Sequence, residues 1–372
     1  MATATELSVI IAADVSKAKG ALGDLEGTFG KLGAGAMGAS KVMGAGLLVG
    51  GAAVAGLAAG ALKLGMEFDS AYDTIIAKTG ATGNTLTGLQ DAVKGVASNV
   101  ATDLGSAADV VAVFGQKLDL VGKENVQALS TQILQLSQVT GIDATQAAAG
   151  ATDMFARWGV TAAEQTGLLD KLFVASQQSG VGFDVLSAQV TQFAPTLQAA
   201  GYTAEGAAAL IATLGKSGID AAAIMPGMTK AMRDWTKDGK DAGVELDALF
   251  EALASGDPAA QATAMDVFGK SALAVSQAAQ SGALDIGGMW KEMGEKAVDA
   301  ISNTTSATED FPEKLEKMKN KIKVALEPVG QAAMDAVSDV AALEAAIHAC
   351  PRCACPCHEA LARRREPEPD QP

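Results

Sequence analysis

Five side chains able to bind a soft metal ion lie within nine residues, in the run Cys350-Pro-Arg-Cys353-Ala-Cys355-Pro-Cys357-His358. Thiolates and an imidazole so close together suit zinc, or copper in its reduced state, and neighbouring thiols can oxidise to disulfides. The spacing opposes an ordinary zinc site. A zinc knuckle needs two ligand pairs separated by a loop, and Cys353-x-Cys355-x-Cys357 is too compressed to set four sulfurs tetrahedrally without strain. Nor does a second histidine follow His358-Glu359 at the spacing of a metalloprotease helix. Two readings of the cluster stay open, adventitious metal or disulfide chemistry and an incidental tail. The ending from Ala362, alternating Arg, Glu and Pro, reads as disordered.

These four cysteines, with His348 and His358, are all the Cys and His in 372 residues. Residues 1–347 therefore hold no Ser-His-Asp triad, cysteine nucleophile, histidine-ligated zinc or disulfide. Enzymes can work with carboxylates alone, but no Asp or Glu pair here earns an acid–base role from spacing. The expectation is a protein that is not an enzyme and carries no cofactor. A net charge of −15 disfavours non-specific nucleic-acid binding.

The elements that would hold such a chain are thin helices. Apolar residues make up 49%, but Trp, Tyr and Phe number only 3, 2 and 10, against 41 Gly. Sheets favour branched and aromatic side chains, so this composition predicts an all-α fold of many short helices with Gly turns. One short strand is expected at Leu7–Ile11, then a helix over Val15–Phe29. The first Lys is Lys17, so the N-terminus lacks the basic start of a secretory signal.

Between Lys41 and Lys63 lie 21 uncharged residues rich in Gly and Ala. As a helix they would span roughly 30 Å, the hydrocarbon thickness of a bilayer. Gly46/Gly50 and Gly56/Gly60 are small-xxx-small pairs, a spacing that lets helix backbones approach closely. The stretch reads as a segment for conditional membrane insertion or self-packing, or else as a buried helix, hinge or linker in a soluble assembly.

From Glu67 to about Asp310 one grammar repeats: a Gly turn, a capping residue, then an amphipathic helix. Thr87-Gly-Leu-Gln90, Ser106-Ala-Ala-Asp109 and Thr161-Ala-Ala-Glu164 fit helix starts, with Thr145 and Thr203 as caps after Gly turns. Gly141, Gly159, Gly182 and Gly201 mark the turns between helices. Leu129, Ile133, Leu136 and Val139, and then Leu168, Leu169, Leu172 and Phe173, form stripes expected in the core. Trp158 and Trp235 read as packing anchors, with Arg157 and Arg233 beside them. The units lack the mutual identity of a true solenoid. Past Phe311-Pro312 comes a charged helix with Leu315, Met318, Ile322 and Leu326 in a narrow seam of the coiled-coil type, and Pro328 is expected to kink it. A terminal helix lying on the body fits the same pattern.

Taken together these features resemble the tail tape measure core family of long-tailed bacteriophages. The resemblance begins at Leu7-Ser-Val-Ile-Ile-Ala-Ala-Asp-Val-Ser-Lys-Ala and continues through the Gly/Ala-rich stretch to Met66. Next come Phe68-Asp-Ser-Ala-Tyr72, Thr79-Gly-Ala-Thr-Gly83 and Leu89, then Ser106-Ala-Ala-Asp109 and Val139-Thr-Gly-Ile-Asp-Ala-Thr-Gln-Ala147. Phe193-Ala-Pro195, Gly201-Tyr-Thr-Ala-Glu205 and Val267-Phe-Gly-Lys270 complete the series. No single motif is diagnostic, and the order and spacing carry the likeness over roughly residues 5–340.

The resemblance implies a structural protein of the virion tail. It would occupy the tail-tube lumen in a few self-associating copies, help set tail length and assist genome passage across the host membrane. Its partners would be the tail tube (major tail) protein, tail assembly chaperones and baseplate or distal tail proteins, with no specific nucleic acid. It would reside in the host cytoplasm during assembly and in the tail afterwards.

The implied organisation is an N-terminal strand and helix over 1–35, the Gly/Ala-rich hydrophobic segment over 36–66, a helical core over 67–310, a charged amphipathic helix over 311–347 and a Cys/Arg/Pro tail over 348–372. Family members continue far beyond such a core, whereas this likeness stops near Val340. A truncated, frameshifted or split gene, or a prophage remnant, is therefore expected. The competing reading, from the same 21 uncharged residues, is an independent membrane-active helical protein such as a pore former.

Overall fold

The computed structural model describes residues 51–349, and all regular structure among them is helical. The expected strand at Leu7–Ile11, the helix at Val15–Phe29 and the tail from Cys350 onward lie outside the described residues. The chain divides into two compact units, one of residues 67–324 and one of residues 1–66 with 325–372. The first unit thus takes in the opening turns of the charged helix.

The helices run in this order: α1 Gly51–Thr79, α2 Gly83–Asn99, α3 Leu104–Gly115, the single turn α4 Leu118–Val121, α5 Val126–Thr140, α6 Ala144–Trp158, α7 Gln165–Ser179 and α8 Phe183–Ala199. There follow α9 Ala204–Lys216, α10 Ala221–Lys237, α11 Ala242–Ala254, α12 Pro258–Phe268, α13 Ala272–Gln280, α14 Ile286–Lys296, α15 Ala300–Thr308 and α16 Phe311–Ala349. In the larger unit many helices pack on the next but one in sequence, as α6 on α8, α7 on α9 and α11 on α13. Phe114, Leu129, Ile133, Leu136, Met154, Phe155, Leu169, Leu172, Leu186 and Leu197 are fully enclosed along this array. The expected stripes at Leu129 and Leu168 are therefore core, with Val139 half-buried at the end of the first.

Helix α9 shows why alanine is so abundant. It packs against α7, α8 and α14 at once, and every residue from Gly206 to Leu214 is buried. A helix apolar all round must be enclosed on every side. Ala207, Ala208, Ala209 and Ala212 let three neighbours approach where larger side chains would hold them apart.

Several joints consist of a glycine, an apolar residue and a cap. At Gly201-Tyr202-Thr203 the Tyr202 amide donates to Leu197 O at 2.9 Å and the Gly201 amide to Gln198 O at 2.9 Å, closing the last turn of α8. Gly201 has φ 84, a left-handed conformation that a residue with a Cβ adopts only with strain. Thr203 Oγ1 then accepts from Gly206 N and starts α9. Gly218-Ile219-Asp220 repeats the pattern, with Ile219 buried and Asp220 accepting from Ala222 N.

Several expected starts move when the caps are seen. Asp103, not Ser106, caps α3, and Ser106 N donates to it at 2.8 Å. Asp143, not Thr145, caps α6 through Gln146 N. Thr87 lies inside α2, its hydroxyl turned back to Gly83 O. The left-handed glycine ending α7 is Gly180, whereas Gly182 with φ −55 opens α8. Aspartate took these places because its charged oxygen both accepts the orphan amides and complements the positive end of the helix. The box Thr161-Ala-Ala-Glu164 forms as expected, Thr161 N donating to Glu164 Oε2. Helix α16 runs on through Pro328 as one element.

After α13 the chain turns back along the array. Ser217 Oγ donates to Ala283 O, and the Trp290 ring lies 3.2 Å from where a Cβ on Gly206 would stand. Ile301 N donates to Asp170, Thr305 Oγ1 to Gln135 O, and Asn320 Nδ2 to Thr102 O. Lys323 then pairs with Glu67 at 3.0 Å. As residue number rises from 283 to 323, the partner's number falls from 217 to 67. The segment is a strap that retraces the helices and ties late ones to early ones.

Gly227 in α10 lies so close to Val267 O that a Cβ would overlap it, and neither backbone can yield without moving α10 from α12. Gly150 in α6 faces open space. Thermal melts followed by circular dichroism should therefore diverge: Gly227→Ala loses about 1–3 kcal/mol through overpacking, while Gly150→Ala gains about 0.5–1 kcal/mol of helix propensity.

Candidate functional site

The residues singled out for chemistry or packing fare unequally. Cys350, Cys353, Cys355, Cys357 and His358 lie outside the described residues, as do Gly46 and Gly50. Among the described residues no group of His, Cys, Asp and Glu could hold a metal ion, and no helix is long and apolar enough to cross a membrane. Gly56 lies on α1, and Gly60 stands on the same helix with nothing within 4 Å of an added Cβ.

Close backbone packing occurs one turn further on. In the smaller unit a Cβ on Gly65 would lie 2.5 Å from Gly330 O, and one on Gly330 would lie 2.7 Å from Gly65 N and 3.2 Å from Ala61 O. The signal for it was a third small-xxx-small pair, Ala61/Gly65, straddling Lys63 and so outside the uncharged stretch.

The densest polar cluster lies where the strap crosses the array. Asp170 on α7 is 6% exposed and accepts the Ile301 amide at 2.9 Å. That amide is one of the orphan donors at the start of α15, so the carboxylate caps a helix 131 residues away in sequence. Gln132 stands beside it, donating to Thr166 O at 3.0 Å, and Thr305 sits over Gln135 O at 3.5 Å. Burial raises the Asp170 carboxyl above its ordinary value; the Ile301 and Gln132 hydrogen bonds oppose this, and the nearby Asp299 charge adds to it. Asp299 itself has φ 51, a left-handed backbone that aspartate tolerates better than most residues.

Side-chain amides perform a related task throughout. Gln116 Nε2 donates to Lys78 O, Gln138 to Ala101 O, Gln165 to Leu120 O, Gln198 to Arg157 O and Asn320 to Thr102 O. Each takes up a carbonyl at or near a helix end, where the helix itself offers no donor. Trp158 Nε1 donates to Val190 O, in the middle of α8, at 3.1 Å, while Arg157 and Arg233 are exposed. Trp235 is half-buried.

The larger open groove, about 430 Å³, includes Ser106, Asp109, Gln138, Asp143 and Thr145 in its lining. Its carboxylates are engaged: Asp109 with Lys78 at 2.7 Å and Asp143 as a cap. A second groove of about 250 Å³ runs between Val181, Val185, Ile211 and Ile219. Tyr202 Oη donates to Asp247 Oδ1 at 3.3 Å, and burial followed by the Asp247 charge pushes the phenol far up. A general base needs the opposite shift, toward neutrality.

No protein-family model, no curated protein and no solved structure matches this chain. Among the described residues, the larger unit is an array of short helices along which the segment after α13 returns.

Asp170 gives a pH signature. Its unfolded carboxyl titrates near 3.8 and its folded one higher, so the folded state holds the proton more tightly. This group therefore favours folding fully below 3.8, and the contribution is lost as pH rises through the folded value. Asp170→Asn keeps an acceptor for Ile301 and removes the charge. The melting temperature of the parent chain relative to this variant should rise on acidification from neutral pH, whereas Asp170→Ala, which orphans the amide, should lose about 1–3 kcal/mol at neutral pH.

Proposed function

We propose that the chain is the core of a bacteriophage tail tape measure protein, a structural component that occupies the tail-tube lumen and helps set tail length during assembly. The observation that carries this reading is the ordered series of family-like motifs. Four of the motifs fall on joints of the array: Thr79–Gly83 between α1 and α2, Val139–Ala147 between α5 and α6, Gly201–Glu205 between α8 and α9 and Val267–Lys270 at the end of α12. Joints are where particular residues matter most to a helical fold, because caps and left-handed turns tolerate few side chains.

The physics of the role suits the composition. A helix adds about 1.5 Å per residue, so chain length converts directly to distance. A charge of −15 keeps several copies apart and soluble until tube subunits enclose them. The partners in this reading are the tail tube protein, the tail assembly chaperones and the baseplate or distal tail proteins, with further copies of the chain. Passage of the genome across the host membrane is the second task it would assist.

The test is to lengthen the gene in its own genome. Ten extra heptads inserted in frame within α16 should lengthen the tails of purified particles by about 100 Å in electron micrographs. Tails of unchanged length, or particles from which mass spectrometry recovers no trace of the chain, would refute the reading.

A further inference from the structure

The opening turns of α16, which belong to the larger unit, pack on it with their polar side. At 100° per residue, Phe311, Leu315, Met318 and Ile322 fall on one stripe, and Glu313, Glu316, Asn320 and Lys323 on the opposite one. The polar stripe faces the body: Asn320 is 1% exposed with its amide on Thr102 O, and Lys323 pairs with Glu67. The apolar stripe faces away, with Phe311 75% and Met318 51% exposed and Leu315 and Ile322 half-buried. Apolar side chains ordinarily turn inward. A stripe at coiled-coil spacing that no helix among the described residues covers is a seam for another helix.

The flanks of the stripe define the other helix. Taking Leu315 and Ile322 as a and Phe311 and Met318 as d, the g positions are Lys314 and Lys321 and one e position is Lys319. Lys314 and Lys321 are exposed and make no ion pair among the described residues. A second copy of the chain would set lysine against lysine in either direction, since parallel pairing faces g with e and antiparallel pairing faces g with g.

We infer that the outward face of α16 over Phe311–Ile322 docks an amphipathic helix with acidic flanks, supplied by a different protein chain. Four apolar side chains supply the buried contact. Lys314, Lys319 and Lys321 select glutamate or aspartate at the facing e and g positions and reject lysine. The inference stands apart from the tape measure reading, because it rests on the orientation of α16 alone.

The test uses the full chain and two synthetic three-heptad peptides with Ile at a and Leu at d, one with Glu and one with Lys at every e and g. Fluorescence anisotropy should show the acidic peptide binding at least about tenfold more tightly than the basic one, with affinity falling as salt rises. Met318→Asp should weaken it at least about tenfold, and Lys314→Glu with Lys321→Glu should exchange the preference for the basic peptide. Met318→Ser, a gentler change at the same exposed site, should weaken binding in the same direction, and the melting temperatures of all variants should stay near that of the parent.

Equal binding of both peptides, or acidic-peptide binding indifferent to both Met318 changes, overturns the inference. So does self-association in sedimentation that Met318→Asp abolishes, since that makes a second copy the occupant. Co-sedimentation with anionic phosphatidylserine vesicles that depends on Met318, without preference for the acidic peptide, overturns it in favour of a lipid surface.

Discussion

The architecture hangs on a buried carboxylate placed at the start of a helix far away in the chain. A row of short helices joined by tight turns stabilises itself only through neighbours, and such rows fray from their ends. Here Asp170 receives the amide of Ile301, Thr305 reaches Gln135 O and Asn320 reaches Thr102 O. These bonds tie α15 and the opening turns of α16 to helices laid down much earlier. Burying a charge is costly unless it is hydrogen-bonded, and the orphan amides of a helix start are among the few partners that compensate it. Ile301, fully buried, puts an apolar contact directly beside the polar one.

The same constraint explains the composition. With three helices around α9, alanine is the side chain that permits enclosure, and the scarcity of aromatics follows. The acidity has a local cause as well as a collective one. Asp103, Asp143, Asp220, Asp241, Asp257 and Asp285 each accept a backbone amide at a helix start. Part of the net charge of −15 is thus the capping chemistry of many short helices.

The helices and many of their glycine joints could be read from the chain, because apolar periodicity and left-handed turns are local signals. Several starts were misplaced by two to four residues, since Ser and Thr were favoured as caps where an aspartate stood just upstream, as at Asp103 and Asp143. The strap left no local trace: Asp170 and Ile301 are ordinary residues in two ordinary helices until the fold brings them together. Helix α16 shows the limit differently. Its heptad seam was legible at Leu315, Met318 and Ile322, but its direction was not, because Asn320 and Lys323 draw the polar side inward. The Gly65–Gly330 contact has its small-residue signal across Lys63, where the uncharged run ends. Legibility was lowest for chemistry, since the Cys350–His358 cluster, which the sequence makes most conspicuous, lies outside the described residues.

A strap of this kind makes the larger unit a closed body and leaves α16 presenting an apolar face outward, so holding the array together and offering a seam are consequences of one path of the chain. Native-state hydrogen exchange tests the closure most directly. If the strap closes the array, the amide of Ile301 and those in the middle of α5, α7 and α15 open together, with one shared free energy equal to that of global unfolding. Exchange of Ile301 and α15 at a much lower free energy, while α5 and α7 stay protected, would show that the array stands without the strap.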